Sequence, residues 1–227
     1  MTQLRLHGLR GLAIVISLLA VTVVLIQLVW CVQIWLANNT VVETHSWGKT
    51  ASHGGIARMP FVYSTLGWFF AVLVAGVLLI VWLWRARANS EMLCPAKHRL
   101  GRGWIVGAWF TPILSFVFPA ILVEDVVRAS DPAAGGGRST LKGVPHSGLV
   151  WAWWIVWAFA WVSVVVERVN FQATNEYHRE IDEAADAWTS WAWSYTAMTL
   201  LFGLAAGLLI AILVRVEGWQ ARRDPVF

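Results

Sequence analysis

The feature that most constrains this chain is the length of its uncharged runs. Leu12–Leu36 passes 25 residues without a charge, Phe61–Trp84 24 and Leu149–Val166 18, and a last run extends from Ala187 to Val214. A helix needs about 20 apolar residues to cross the hydrocarbon core of a bilayer. Apolar residues in unbroken blocks, rather than at amphipathic spacing, predict membrane spans. The first run is longer than the roughly 7–15 residues of a signal-peptide core, and no small-residue cleavage site follows it, so it is expected to be retained. The expected spans are about 12–36, 61–84, 149–166 and about 193–214, within one integral membrane domain covering 1–227.

Between the second and third of these lies Trp104–Val123, 20 uncharged residues interrupted by Pro112 and Pro119. Proline removes a helical donor and clashes with the preceding turn. A fifth straight span is therefore disfavoured, and a proline-broken, re-entrant or half-membrane helical segment is expected. Charge counting agrees. If the segment crosses fully, Lys and Arg divide nine against eight across the membrane; if it enters and returns, they divide thirteen against four. The excess of positive charge on cytoplasmic loops favours the second arrangement. The expected protein is all-α: a polytopic membrane bundle of four spans plus the broken segment, in the inner (cytoplasmic) membrane, with both termini cytoplasmic. The loops Ala37–Pro60 and Glu167–Asp186 then lie outside, the second as an amphipathic surface helix.

Composition adds two exclusions. Charged residues are 13% of the chain, about half the soluble norm. The net charge of +4 is the kind that positive-inside loops produce, so no nucleic-acid partner is expected. Cys31 and Cys94 stand in different surroundings and outside any paired motif, so neither a disulfide nor a metal site is expected.

One block carries a family resemblance: Trp82-Leu-Trp-Arg-Ala-Arg-Ala-Asn89, then Gly103, Trp104, Gly107, Trp109, Phe110 and Pro112, then Pro119, Val126, Arg128 and Asp131-Pro132. It resembles the actinobacterial membrane proteins grouped as a domain of unknown function, number 4328 in that series. Ser115 stands where members usually carry Asn, and Val127 where they often carry an aromatic residue. The resemblance implies a membrane fold and location and brings no activity with it.

Four places are candidates for function. Ser115 near the break, with Glu124, Asp125 and Arg128 where the segment ends, could line a cavity or its rim. The plainer alternative is an interfacial anchor with Arg128 paired to Glu124 one turn away. On the third full span, Trp151, Trp154, Trp157 and Trp161 form one stripe that could line an apolar pocket, or simply pack. Arg85, Arg87, Arg99 and Arg102 could meet lipid headgroups. His45, His53 and His178 share a side with Glu176, Glu180, Asp182 and Glu183, but at no recognised metal-ligand spacing. Two stripes of small residues, Gly67/Ala71/Ala75 and Gly203/Gly207/Ala211, are expected to face other helices. No nucleophile elbow, P-loop or dinucleotide fingerprint occurs. The expected function is a non-enzymatic scaffold, modulator or sensor acting through the lipid bilayer or a membrane-protein partner, without a cofactor. The alternative is a membrane-embedded enzyme or carrier for an apolar substrate.

Overall fold

Leucine, valine, alanine and tryptophan dominate the long runs, and nothing inside them stops a helix. In the computed structural model, which describes residues 6–46, 58–134, 140–141, 143–173 and 181–223, they are helical throughout. Six α-helices follow in order: α1 Arg10–Ser46, α2 Arg58–Leu93, α3 Trp104–Phe110, α4 Phe118–Ser130, α5 Gly148–Ala173 and α6 Ile181–Ala221. Four of them, α1, α2, α5 and α6, are long and apolar enough to cross a membrane. Only 22% to 33% of each candidate span is buried within the protein. The exposed remainder is leucine, valine and phenylalanine, among them Leu18, Leu25, Val29, Phe70, Leu73 and Leu200. An exterior of that kind is stable in lipid and costly in water.

The helices run further than the apolar runs that nucleate them. α1 was expected to end near 36 and continues to Ser46, because no proline or glycine intervenes. Asn38, expected in a loop, is 4% exposed and accepts a hydrogen bond from Thr189 Oγ1 at 3.2 Å. α2 likewise continues through Arg85, Arg87 and Glu91 to Leu93. Of the acidic stretch 167–186, expected as a surface helix, α5 takes the part up to Ala173 and α6 the part from Ile181, and 174–180 lie outside the described residues. Pro60 stands in the first turn of α2, where its missing N–H costs nothing.

By their contacts the residues sort into two compact units. The first comprises the chain up to Leu19, Leu73–Ile155 and the chain from Ala206. It is held by a buried polar chain. Asn89 accepts the His7 N–H at 2.7 Å and donates Nδ2 to the His7 carbonyl at 2.9 Å and to Gln220 Oε1 at 2.8 Å. Gln220 Nε2 donates in turn to the Ala86 carbonyl and to Ser130 Oγ. A small core of Cys94, Ala96, Ala129, Ala134, Leu141 and Val144 closes the region beyond α2 and α4. Lys97 and Thr140 form an isolated parallel bridge beside it.

The second unit comprises Ala20–Val72 and Val156–Ala205. Trp35 Nε1 donates to Thr196 Oγ1 at 2.9 Å, and the Cys31 sulfur lies 3.4 Å from the same oxygen. Both cysteines are free. The small-residue stripes meet the expectation only in part: Ala71 is buried, whereas Gly67, Gly207 and Ala211 are exposed. Gly67 is exposed and a side chain there would meet nothing within 4 Å; in the other unit the same holds for Gly207. Of the three stripe glycines, Gly203 alone has a neighbour among the described residues, Val24 Cγ1, at 3.8 Å from where its Cβ would be. Four-residue spacing creates a smooth face, but the large residues around it decide whether a neighbour closes on it.

Candidate functional site at the broken segment

The broken segment is a hairpin within the first unit. α3 ends at Phe110, Thr111 leaves the helix in an extended conformation, and Pro112 follows it. Pro119 occupies the first turn of α4, so each proline bounds a helix instead of kinking one. α3 and α4 pack back against each other, with the Trp104 and Phe118 rings edge to face at 4.9 Å. The reversal is tight. Leu114 N–H reaches the Pro112 carbonyl at 2.7 Å, a three-residue turn that holds Ile113 at φ 67° and ψ −52°. A β-branched residue is strained there.

Polar backbone at the turn finds partners. Thr111 gives both its N–H and its Oγ1 to the Gly107 carbonyl, and Ser115 N–H reaches the Thr111 carbonyl. The Phe116 carbonyl accepts the Trp154 indole N–H at 2.7 Å. Trp154, expected as part of a stripe, therefore cradles the turn, and its ring meets Trp109 edge to face at 6.2 Å. Ser115 is half-buried and its hydroxyl makes no bond among the described residues. The tip is apolar and open: Phe110 is 73% exposed, Ile113 80% and Phe116 72%.

At the base of the hairpin stands an ion cluster. The Glu124 and Asp125 side chains are 0% and 2% exposed. One arginine serves both: Arg99 Nη2 meets Glu124 Oε2 at 2.6 Å and Arg99 Nε meets Asp125 Oδ1 at 2.7 Å. The Arg99 backbone N–H takes the second Asp125 oxygen at 2.8 Å, and His146 Nδ1 takes the second Glu124 oxygen at 2.5 Å. Burial pushes the Glu124 carboxyl up, but the bonds from Arg99 and His146 outweigh it and hold it below the usual carboxylate value. Burial likewise opposes the Arg99 charge, and the two carboxylates more than restore it. A carboxylate stabilised in this way is a poor proton acceptor, so the pair reads as a clamp between the loop after α2 and the hairpin.

The other basic residues are also engaged. Arg87 is buried, binds Glu91 Oε1 at 2.9 Å and gives Nη2 to the Leu100 carbonyl at 2.6 Å. Arg102 holds the other Glu91 oxygen. Of the four arginines considered for headgroups, Arg85 is exposed and makes no ion pair among the described residues. His98 is pushed below the ordinary imidazole value, by burial first and then by Arg87. Arg128 does not pair with Glu124. It sends Nη2 to the Leu141 and Val144 carbonyls at 2.5 and 2.7 Å. A turn closed from Val144 N–H to the Leu141 carbonyl, with Gly143 at φ 85°, presents those two acceptors together.

Trp157 and Trp161, in the second unit, meet each other at 5.7 Å and Phe202 at 5.8 and 6.0 Å, all edge to face. Trp68 joins them, 5.6 Å from Phe202 and 6.3 Å from Trp161. The rings fill the space with each other. The side chains of His45, His53, His178, Glu176, Glu180, Asp182 and Glu183 lie outside the described residues. Among the described residues, no three His, Cys, Asp or Glu side chains converge as metal ligands.

Sequence reading missed the central role of Arg99 and the part played by His146. A signal existed for the first: two adjacent acids at the end of an apolar run need a counter-charge, and the nearest basic cluster precedes the run. None existed for His146, 22 residues beyond Glu124 in a loop. No curated protein and no solved structure matches the chain. The family described as "Domain of unknown function (DUF4328)" matches residues 51–217, well over half of the sequence, and the chain belongs to that family.

Proposed function

We propose that this protein is a non-enzymatic, multi-pass scaffold or modulator of the inner membrane, with both termini cytoplasmic, that works through lipid or a membrane partner. Its working part is the α3–α4 hairpin, dipping into the cytoplasmic leaflet and returning. The observation that carries the reading is the pairing of an exposed apolar tip, Phe110, Ile113 and Phe116, with a charged base locked by Arg99. A tip of that kind is costly in water and at home in lipid. The clamped base keeps the carboxylates out of the hydrocarbon and fixes the angle of entry. The thirteen-to-four division of Lys and Arg supports the orientation. The mutually packed rings of Trp157, Trp161 and Phe202 favour packing over a substrate pocket in the second unit.

A fluorophore on Phe110→Cys tests the hairpin in reconstituted vesicles. Lipids carrying a quencher on the acyl chain should quench it, and aqueous iodide should not. Iodide quenching equal to that of a free-loop control would refute insertion. Membrane-impermeant thiol labelling tests the orientation: a cysteine at Ser52 should label from outside intact cells, and one at Ser139 should stay unlabelled.

A further inference from the structure

A shallow cleft of about 190 Å³ opens beside the turn into α5, lined by Arg128, Asp131, His146, Ser147, Arg215 and Trp219 among others. All of these belong to the first unit. Arg128 is 7% exposed, and no carboxylate lies within ion-pair reach of it among the described residues. Its buried Nε has no hydrogen-bond acceptor among the described residues. A guanidinium cannot give up its proton at any ordinary pH, so burial leaves the charge in place. The Leu141 and Val144 carbonyls offset part of it, and among the described residues no full counter-charge faces it. Arg128 meets open space at this cleft.

Two further features add positive potential. Arg215 on α6 is exposed, lines the same cleft and holds its guanidinium 5.0 Å from the Trp219 ring centre. α5, 26 residues long, begins there. The Ser147 carbonyl accepts the Val150 and Trp151 N–H groups, so the Gly148 and Leu149 amides belong to the unpaired first turn. Among the described lining residues the one acid, Asp131, bonds the Ala133 N–H through Oδ1 at 2.8 Å, and its single charge stands against two arginines. His146 is engaged by Glu124.

We propose that this cleft binds a phosphate group, an anion that arginine N–H groups and a helix N-terminus recognise together. The volume, that of about six waters, leaves room for an ester arm as well. The lining is drawn from the start of one span and the last turns of another, Gly148 and Arg215–Trp219, the level at which phospholipid headgroups lie. The phosphate is then offered by an anionic phospholipid or by a soluble phosphate. The inference rests on the reading that the protein acts through lipid, and it names the chemistry recognised.

The test uses the full-length protein purified in a neutral detergent, its thermal unfolding followed during separate titrations with phosphatidylglycerol and with inorganic phosphate. A saturable rise is expected. Arg215→Ala, at an exposed position, should raise the half-maximal concentration about fivefold, the effect of losing one arginine at a headgroup. Arg128→Lys, which keeps the charge but cannot hold both carbonyls and still offer a donor to the cleft, should also weaken binding. A rise with phosphatidylglycerol alone assigns the site to a headgroup, and a rise with inorganic phosphate alone assigns it to a soluble ligand. No saturable rise with either, or half-maximal concentrations unchanged in both variants, overturns the proposal. Lipid quenching at position 110 reads separately: insertion without phosphate binding sinks the cleft and spares the hairpin, while phosphate binding without insertion does the reverse.

Discussion

Replacing Arg99 by alanine removes the only cation that touches both Glu124 and Asp125 among the described residues. The two carboxylates stay where they are, with side chains 0% and 2% exposed. Removing one partner of a buried pair costs about 3–5 kcal/mol, because a charge is left without compensation. Arg99 itself is 39% exposed, so solvent screens part of the interaction and the expected loss falls to about 2–3 kcal/mol. For a chain of this length that lowers the midpoint of thermal unfolding by roughly 5–10 °C. Arg99→Lys should fall between, since a single ammonium cannot reproduce Nε on one carboxylate and Nη2 on the other. The measurement is thermal unfolding of the full-length variants in detergent, at one pH and one lipid content. The decisive comparison is a triple variant, Arg99→Ala with Glu124→Gln and Asp125→Asn. If the cost is electrostatic, removing the stranded charges recovers at least half of the loss. A triple variant no more stable than Arg99→Ala would refute the reasoning and leave packing as the cause.

Three further outcomes are expected. Acid should lower stability in two stages. Buried His98 resists protonation while the unfolded chain takes up its proton near the ordinary value of 6.5, so stability falls as pH drops below that point. The Glu124 contribution is full above the ordinary 4.5 and is lost as pH falls through its lower folded value. His98→Gln should remove the first stage alone, and a pH series of melting curves that keeps both stages would contradict the assignment. Gln27 is 1% exposed with both amide atoms unpaired among the described residues. Gln27→Met should therefore stabilise by about 1–3 kcal/mol in a denaturation series, and a loss would show that the amide has a partner. Ile113→Gly should relieve the strained turn, by about 1 kcal/mol after glycine's own entropy cost, with little packing lost at an 80% exposed position. A drop in stability would mean that the side chain is held.

What the sequence made legible follows from how local each signal is. Span existence rests on uninterrupted hydrophobicity, a property of contiguous residues, and all four long helices stand where the runs stand. The break at Pro112 and Pro119 is local too, since each proline acts on its own turn. Helix ends were less legible. α1 and α6 run on through polar residues because propagation adds one bond per residue until something stops it, and nothing in 37–46 or 181–192 does. The site was half legible for the same reason. Glu124, Asp125 and Arg128 announce themselves as charges at the end of an apolar run. Their partners are set by which loops the hairpin meets: Arg99 lies 26 residues before Asp125, and the carbonyls held by Arg128 lie 13 and 16 residues after it. The i,i+4 rule pairs Arg128 with Glu124, and that pairing loses to Arg99, which reaches both acids at once. One forked cation bonds both adjacent buried acids, and His146 takes the remaining Glu124 oxygen, so Arg128 serves the loop before α5 instead. That is why this arginine stands at the cleft with carbonyl partners and, among the described residues, no carboxylate.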